Sequence, residues 1–218
     1  RLKRIRYTTS HPIDFTSDLI NAYQSSDKLM PLIHLPVQSG SNKILKSMNR
    51  KHNIEDYLNL IKKLKKTNPK VKFSSDFIIG YPGETEEDFN ATLKLLKEVE
   101  YINTYSYLYS PRPGTPASKL KKIEESVMKK RLLIFQKFAG EIKMKYKKSL
   151  INKELLVLFE NKVKGKNEFF GRDEFSNSVI VKSDENLVGK IEKISIINGN
   201  QNTLFGVTKN QDRKEFAA

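Results

Sequence analysis

Polar and glycine residues recur where predicted strands end, and together they could bind a nucleoside. In the turn after the apolar run 71–79, Gly80 and Gly83 permit positive φ and close approach of a ligand to the backbone, while Pro82 makes the bend rigid. A carboxamide or hydroxyl suits a ribose, exposed backbone suits the edge of adenine, and an apolar side chain such as Ile78 suits the ring. The candidate rim residues are Ser10, His11, Gln38, Ser39, Asp76, Gly80, Gly83, Tyr107, Tyr109 and Arg112.

The same residues give little support for hydrolytic or metal chemistry. No Ser-His-Asp or Cys-His arrangement has a useful spacing, and His11, His34 and His52 are isolated, which predicts packing or surface roles. We therefore identify no catalytic residue and expect no metal site. The stretch 80–84 lacks the lysine of a P-loop. Its glycine loop contains proline and follows a strand, unlike the loop of a KH domain.

The elements that position these residues alternate between strand and helix. Apolar runs at 2–7, 32–37, 71–79 and 102–109 predict four strands, the third covered on both faces. The predicted N-caps of the intervening helices are Asp14 or Thr16, Ser41, Asn53 and Thr85, the last in a capping box with Asp88. This alternation predicts the α/β class with a parallel sheet, and four strands are too few for a closed eight-stranded barrel.

Charge is strongly unbalanced along the chain. There are 40 basic and 25 acidic residues, a net charge of +15, and residues 119–153 carry 12 of the basic and 3 of the acidic ones. Such an excess is typical of proteins that bind polyanions such as nucleic acid, although a lysine-rich proteome would give the same composition. Apolar residues at helical spacing predict a long amphipathic helix here, with its lysines facing either water or nucleic acid. They are Leu132, Phe135, Phe138, Ile142 and Tyr146.

After residue 153 the apolar pattern becomes that of strands. The candidates are 155–159, 169–171, 179–182, 187–197 and 202–207, and Asn198-Gly199 is the clearest hairpin turn. Five short strands predict a small closed or half-closed all-β barrel of the OB-like kind, and such barrels bind single strands. Residues 212–218 form a tail without a usable pattern.

The chain has no cysteine, which excludes disulfides, thiolate metal sites and cysteine-held iron-sulfur clusters within it. No apolar run approaches the roughly 20 residues of a membrane span. We therefore expect a cytoplasmic protein with no membrane partner.

Three motifs resemble the second half of the radical S-adenosylmethionine (SAM) core of the tRNA methylthiotransferases. They are HLPVQSGSNKILKSMNR at 34–50, FSSDFIIGYPGETEEDF at 73–89 and YSPRPGTPA at 109–117. The resemblance is greatest with the members that methylthiolate isopentenyladenosine next to the anticodon. It implies the carboxyl-terminal portion of such an enzyme, with tRNA as partner: a partial parallel-stranded radical SAM barrel at 1–118, a basic linker helix at 119–152 and an RNA-binding TRAM domain at 153–211.

The resemblance also implies roles for individual residues. The S-adenosylmethionine site would include Gln38, Ser39, Ser41, Arg50, Asp76, Gly80, Tyr107 and Tyr109, with Arg50 facing the ligand's carboxylate. Substrate or RNA would be contacted by Arg112, Lys153, Arg172, Lys182 and Lys190.

The sequence departs from the family in one respect. The family holds a 4Fe-4S cluster on a Cys-x3-Cys-x2-Cys loop and an auxiliary cluster on cysteines of an N-terminal domain, and these ligands are missing here. This chain alone is therefore expected to be inactive, and a separate chain carrying the missing half is a candidate partner. The alternative is a non-catalytic RNA-binding protein that uses the basic helix and the barrel.

Overall fold

The computed structural model describes residues 2–8 and 11–209. Ser10 and the predicted tail 212–218 lie outside the described residues. The chain divides into two compact units, residues 1–142 and 143–218. Within the described ranges, no helix has both the length and the apolar character that crossing a membrane requires.

The first unit is built on a parallel sheet with helices between its strands. The strands are β1 (Leu32–His34), β2 (Lys72–Ile79) and β3 (Asn103–Leu108), in that order across the sheet. The helices are α1 (Ser17–Ser25), α2 (Asn42–Ser47), α3 (Ile54–Thr67), α4 (Glu86–Val99) and α5 (Glu125–Lys148), with 3₁₀ turns at Pro12–Asp14 and Pro116–Lys119. The parallel pairing of β2 with both neighbours confirms the predicted α/β class.

The predicted helix starts are confirmed by their capping side chains. Thr16, Ser41, Asn53 and Thr85 each accept a backbone N–H at the start of a helix. In the capping box, Thr85 accepts the N–H of Asp88, and the Asp88 carboxylate accepts the N–H of Thr85 at 2.9 Å. Each cap satisfies an amide that a helix start otherwise leaves unpaired, so local sequence determines these boundaries.

The sheet has one buried face and one open face. Phe73, Phe77 and Ile79 of β2 are buried at 1% exposure or less and belong to the main core. On the other face of β2, Ser74 is buried but Asp76 and Ile78 are only half-buried, and their register partners Tyr105 and Tyr107 on β3 are exposed. The prediction that this strand is covered on both faces is therefore wrong, and the open face is available to a ligand.

The predicted first strand, at 2–7, is also wrong as a full strand. The structure shows isolated parallel bridges, Ile5 with Leu29 and Thr8 with His34, so the sheet has three strands among the described residues. Leu2 is 72% exposed and Ile5 is 40% exposed. Because these side chains bury little apolar area, burial does little to stabilise longer pairing here.

Helix α5 contributes residues to both units. Phe135 is buried in the first core, with Leu132, Phe138 and Ile142 packed against it as their spacing predicts. Two of its basic residues are buried, because Arg131 is 8% exposed and Lys147 is 2% exposed. The prediction that the lysines of this helix lie on its outer face is therefore wrong for Lys147.

The second unit contains a closed five-stranded barrel, as the strand pattern predicts. Its strands are β4 (Glu154–Lys162), β5 (Glu168–Arg172), β6 (Ser178–Lys182), β7 (Ile191–Gly199) and β8 (Thr203–Thr208), ordered β4-β5-β6-β8-β7 around the barrel. Pairing of β4 with β7 closes it, and Val157, Ile194 and Leu204 fill the interior. The predicted turn at Asn198-Gly199 is wrong, because β7 continues through both residues.

Candidate functional site

A cleft of about 840 Å³ lies in the first unit where the parallel strands end. This is the position at which α/β sheets place their ligands. Six of the residues selected from sequence line it: Gln38, Arg50, Asp76, Tyr107, Tyr109 and Arg112. The structure therefore brings together residues that are up to 74 positions apart in the chain.

Backbone pairing fixes Gln38 at the cleft. Its N–H donates to the carbonyl of Asp76 at 2.9 Å, and its own carbonyl accepts the N–H of Ile78 at 3.0 Å. Gln38 has a φ of 75°, a left-handed conformation that is uncommon for a residue with a side chain. Such strain is frequent at ligand sites because the surrounding structure compensates for it.

The cleft is lined by the guanidinium groups of Arg50 and Arg112 and by the carboxylate of Asp76. Burial lowers the pKa of Arg50, and the negative charge of Asp76 opposes that shift. Arginine stays protonated in proteins, so Arg50 offers a guanidinium that could hold a ligand carboxylate. Asp76 offers a carboxylate to an ammonium or hydroxyl. This pair of charges suits a ligand with both an acidic and a basic end.

His34 contacts Asp76, so the expectation that it is isolated is wrong. Its Nε2 lies 3.5 Å from Oδ2 of Asp76, and its Nδ1 lies 2.9 Å from the hydroxyl of Ser74. The ring also meets Tyr105 edge-to-face at 5.9 Å. Pairing of β1 with β2 creates this contact between residues 42 positions apart, and sequence spacing gives no signal for it.

An aromatic wall borders the cleft. Tyr81 and Tyr109 meet edge-to-face at 5.1 Å, and the Tyr81 hydroxyl donates to the carbonyl of Ser47 at 2.7 Å. The hydroxyl of Tyr109 is buried without a hydrogen-bond partner among the described residues. An unpartnered buried hydroxyl is costly, and a polar atom of a ligand could satisfy it. Sequence analysis missed Tyr81 as a lining residue.

Ser39 and Ser41 do not line the cleft. Ser39 is 1% exposed, and its hydroxyl accepts the N–H of Ser41 at 3.2 Å. Ser41 donates to Asp88 at 2.6 Å. Although burial raises the pKa of Asp88, hydrogen bonds from Ser41, Thr85 and Lys43 lower it to about 2. The two serines therefore fix helices α2 and α4 behind the cleft.

Gly80 also lies beneath the cleft surface, in a turn held by helix α5. Its N–H donates to the Glu84 carboxylate at 3.3 Å. The same carboxylate accepts from Arg131 at 2.9 Å, and both charged side chains are almost fully buried. A Cβ at Gly80 would lie 2.5 Å from Cγ of Met128. The glycine thus permits close packing of α5 on the turn that carries Tyr81.

His11 and His52 form a second aromatic contact, with ring centroids 5.2 Å apart. Burial, followed by the positive charges of His11 and Arg50, lowers the pKa of His52 to about 4. Both of its ring nitrogens are buried without a hydrogen-bond partner in the described ranges. His52 is therefore neutral near pH 7 and packs as an aromatic side chain.

Two of the basic residues selected on the barrel, Arg172 and Lys182, lie at opposite ends of one strand pair. Lys153, Arg172, Lys182 and Lys190 are all exposed. In the β5–β6 ladder, however, Arg172 pairs with Ser178 and Lys182 pairs with Glu168, at opposite ends. Arg172 also lies 3.6 Å from Glu160, which neutralises part of its charge.

The part of the chain that the structure describes contains no group of side chains arranged to hold a metal ion. The sequence has no cysteine, and among the described residues no group of three or more His, Asp or Glu side chains could hold a metal ion. Cysteine thiolates are the usual ligands of iron-sulfur clusters. The residues described here therefore do not fit such a cluster.

Comparisons with known proteins agree with the sequence motifs. Residues 1–96 match the model of the radical SAM superfamily. The chain is 54% identical over 217 residues to a tRNA-2-methylthio-N(6)-dimethylallyladenosine synthase of Pelagibacter ubique, covering 100% of this chain and 49% of the relative. It is 47% identical to the protein of the same name from the Wolbachia of Culex pipiens, covering 94% of this chain and 48% of the relative. The chain thus spans about half the length of the curated relatives it matches.

A solved structure shares the fold. Coproporphyrinogen III oxidase (HemN) from Escherichia coli, described as a radical SAM enzyme, superposes with a TM-score of 0.54 and 14% sequence identity. The match covers 78% of this chain and 46% of that structure. At this identity the likeness establishes a common fold and nothing about ligands.

Proposed function

We propose that this chain forms the carboxyl-terminal part of a radical SAM tRNA methylthiotransferase of the kind it resembles, the tRNA-2-methylthio-N(6)-dimethylallyladenosine synthases. In this role it helps to modify isopentenyladenosine next to the anticodon of tRNA in the cytoplasm. The observation that carries the proposal is the cleft at the strand ends, where Gln38, Arg50, Asp76 and Tyr109 converge.

The cleft is the proposed site for S-adenosylmethionine. The guanidinium of Arg50 would hold the ligand's carboxylate, and Asp76 would accept from its ammonium or ribose hydroxyls. Ile78 and Tyr107 would contact the adenine ring, and the unpartnered hydroxyl of Tyr109 would hydrogen-bond to a polar atom of the ligand. When bound, S-adenosylmethionine supplies methyl-transfer and radical chemistry.

The residues of this chain fit that ligand but not a 4Fe-4S cluster. The charges of the cleft match the amino-acid end of S-adenosylmethionine, whereas no cysteine is present to bind iron. In this proposal another polypeptide segment or a separate chain supplies the cluster. This chain alone binds substrates without turning them over.

The second unit is proposed to act as a TRAM-like RNA-binding domain. A small closed barrel is a common scaffold for single-stranded nucleic acid. The net charge of +15 favours a polyanionic partner. Lys153, Arg172, Lys182 and Lys190 are the candidate contacts, and Arg112 at the cleft is a candidate for contact with substrate.

The second candidate function is RNA binding without catalysis. The absence of cysteine favours it, because a protein that only binds RNA needs no cluster. The cleft distinguishes the two functions, since a simple RNA-binding protein has no use for a site that accepts S-adenosylmethionine.

Calorimetry of the full chain with S-adenosylmethionine tests the proposal. We expect weak binding, with a Kd of about 1 mM, because the chain spans only about half the length of its relatives. Arg50→Met should abolish the heat, whereas Lys51→Met, which removes a neighbouring exposed cation, should retain it. Binding of tRNA with no response to S-adenosylmethionine would support the non-catalytic alternative instead.

A further inference from the structure

We propose that the β4–β5 hairpin of the barrel, residues 162–167, is the surface that contacts the phosphate backbone of RNA. This inference rests on the proposed RNA-binding function and names a surface that sequence analysis did not select. The hairpin has the sequence Lys-Val-Lys-Gly-Lys-Asn, so every second residue from Lys162 to Lys166 is basic.

Three other cations of the barrel have a carboxylate partner within 4.0 Å, whereas none is described for Lys153 or Lys190. Arg172 lies 3.6 Å from Glu160, and Lys209 lies 4.0 Å from Glu154. Lys193 also pairs with Glu154, at 2.5 Å. These ion pairs are on the surface, so each contributes little to stability, but each reduces the positive potential around the cation.

Among the three hairpin lysines, only Lys166 has a described carboxylate partner. No ion pair is found for Lys162 or Lys164 among the described residues, whereas Lys166 pairs with Glu168 at 3.8 Å. Lys162 lies over the ring of the buried Phe169 at 5.7 Å, which leaves its charge in place. Lys182 is exposed and lies opposite Glu168 at the end of the β5–β6 ladder next to the hairpin.

The hairpin is held in a defined conformation. The N–H of Val163 donates to the carbonyl of Glu168 at 2.8 Å, and Gly165 has a φ of +73° with open space around it. At the base, the side-chain amide of Asn167 donates to Asp184 at 2.9 Å, which fixes the hairpin to the loop after β6. An ordered loop pays less conformational entropy when it binds than a mobile one does.

These features fit a phosphate backbone better than a base edge. Lysine is a point charge with rotatable donors, which suits phosphate recognition without sequence preference. The hairpin encloses a shallow depression of about 430 Å³ and exposes no aromatic side chain on which a base could stack. The surface should therefore supply affinity and salt dependence and leave sequence selection to other residues.

The test compares two variants of the full chain that change net charge equally. Lys162→Gln/Lys164→Gln removes the two hairpin cations without ion pairs, and Lys193→Gln/Lys209→Gln removes two that pair with Glu154. Binding of an unmodified tRNA transcript is measured by fluorescence anisotropy over a range of salt concentrations. All four lysines are exposed, so circular dichroism should show both variants folded.

We expect the hairpin variant to bind tRNA about tenfold or more weakly and to lose about 1 to 2 from the slope of log K against log salt. The control variant should stay within about twofold of the wild type. Equal losses in both variants, or a larger loss in the control, would overturn the hairpin as the contact surface. If the wild type does not bind tRNA at all, the proposed function fails before this inference is reached.

Discussion

Gly80→Ala tests whether helix α5 determines the conformation of the turn at the cleft. Gly80 has a φ of +77°, and a Cβ there would lie 2.5 Å from Cγ and 2.9 Å from Cε of Met128. Gly83, in the same turn, has a φ of +83° but no atom within 4 Å of an added Cβ. Both glycines adopt a positive φ that would strain any residue with a Cβ, but only at Gly80 would the added Cβ also clash with a neighbouring side chain.

The expected magnitudes follow from that difference. A left-handed conformation costs a residue with a Cβ about 1 kcal/mol, so Gly83→Ala should lower the free energy of unfolding by about that amount. Gly80→Ala should cost about 2 to 4 kcal/mol, because overpacking against Met128 adds about 1 to 3 kcal/mol. Shortening the neighbour in Gly80→Ala/Met128→Ala should recover part of the packing cost, so the two changes should be less than additive.

Hydrogen exchange is the suitable assay because the chain has two units that need not unfold together. Protection of amides in β2 and α4 reports the stability of the first unit alone. Equal losses of protection in Gly80→Ala and Gly83→Ala would refute the packing argument. Additive effects of Gly80→Ala and Met128→Ala would refute it as well.

Two further predictions concern buried ionisable groups. The pKa of His52 is lowered to about 4 in the folded chain. Between pH 6.5 and about 4, His52 is therefore protonated in the unfolded chain but neutral in the folded chain. The stability of the first unit should be fully present above pH 6.5 and fall by about 2 to 3 kcal/mol toward pH 4, and His52→Leu should remove that part of the slope in urea titrations. In the barrel, Asp173 is 1% exposed and accepts from both nitrogens of Asn177 at 2.8 and 2.7 Å, and its charge offsets that of the buried Lys147. Asp173→Asn should therefore cost about 3 kcal/mol in thermal unfolding, with part regained by adding Lys147→Met, whereas no loss would show that the carboxylate is dispensable.

Local sequence predicts the starts of helices α1 to α4 and the strands of the barrel. Thr16, Ser41, Asn53 and Thr85 could be identified as caps because a cap depends on residues within three positions. The barrel strands could be identified because alternation and short turns are also local.

Other features depend on contacts between distant segments and could not be predicted. His34 meets Asp76 across 42 positions and Arg131 meets Glu84 across 47, so neither pair leaves a pattern in the sequence. The predicted hairpin turn lies too early in the chain, because β7, which has an irregularity between Ile196 and Asn198, continues through Gly199. The side-chain oxygen of Asn200 then accepts the N–H groups of both Asn202 and Thr203, which places the turn there.

The candidate site was predicted in outline. Its polar and aromatic lining could be selected because parallel strands end at a common edge. Ser39 and Ser41 also follow a strand of the sheet, but their side chains hydrogen-bond to Thr92 and Asp88 of helix α4 instead of facing the cleft. Only the packing of α4 behind β1 distinguishes lining residues from supporting ones.

The central claim is that the cleft at the strand ends binds S-adenosylmethionine. The most direct measurement is a titration of the ¹⁵N-labelled full chain with this ligand, followed by two-dimensional NMR. The account predicts saturable shift changes concentrated at Gln38, Arg50, Asp76 and Tyr109, and their loss in Arg50→Met. Shift changes confined to the barrel, or none at millimolar ligand, would contradict it.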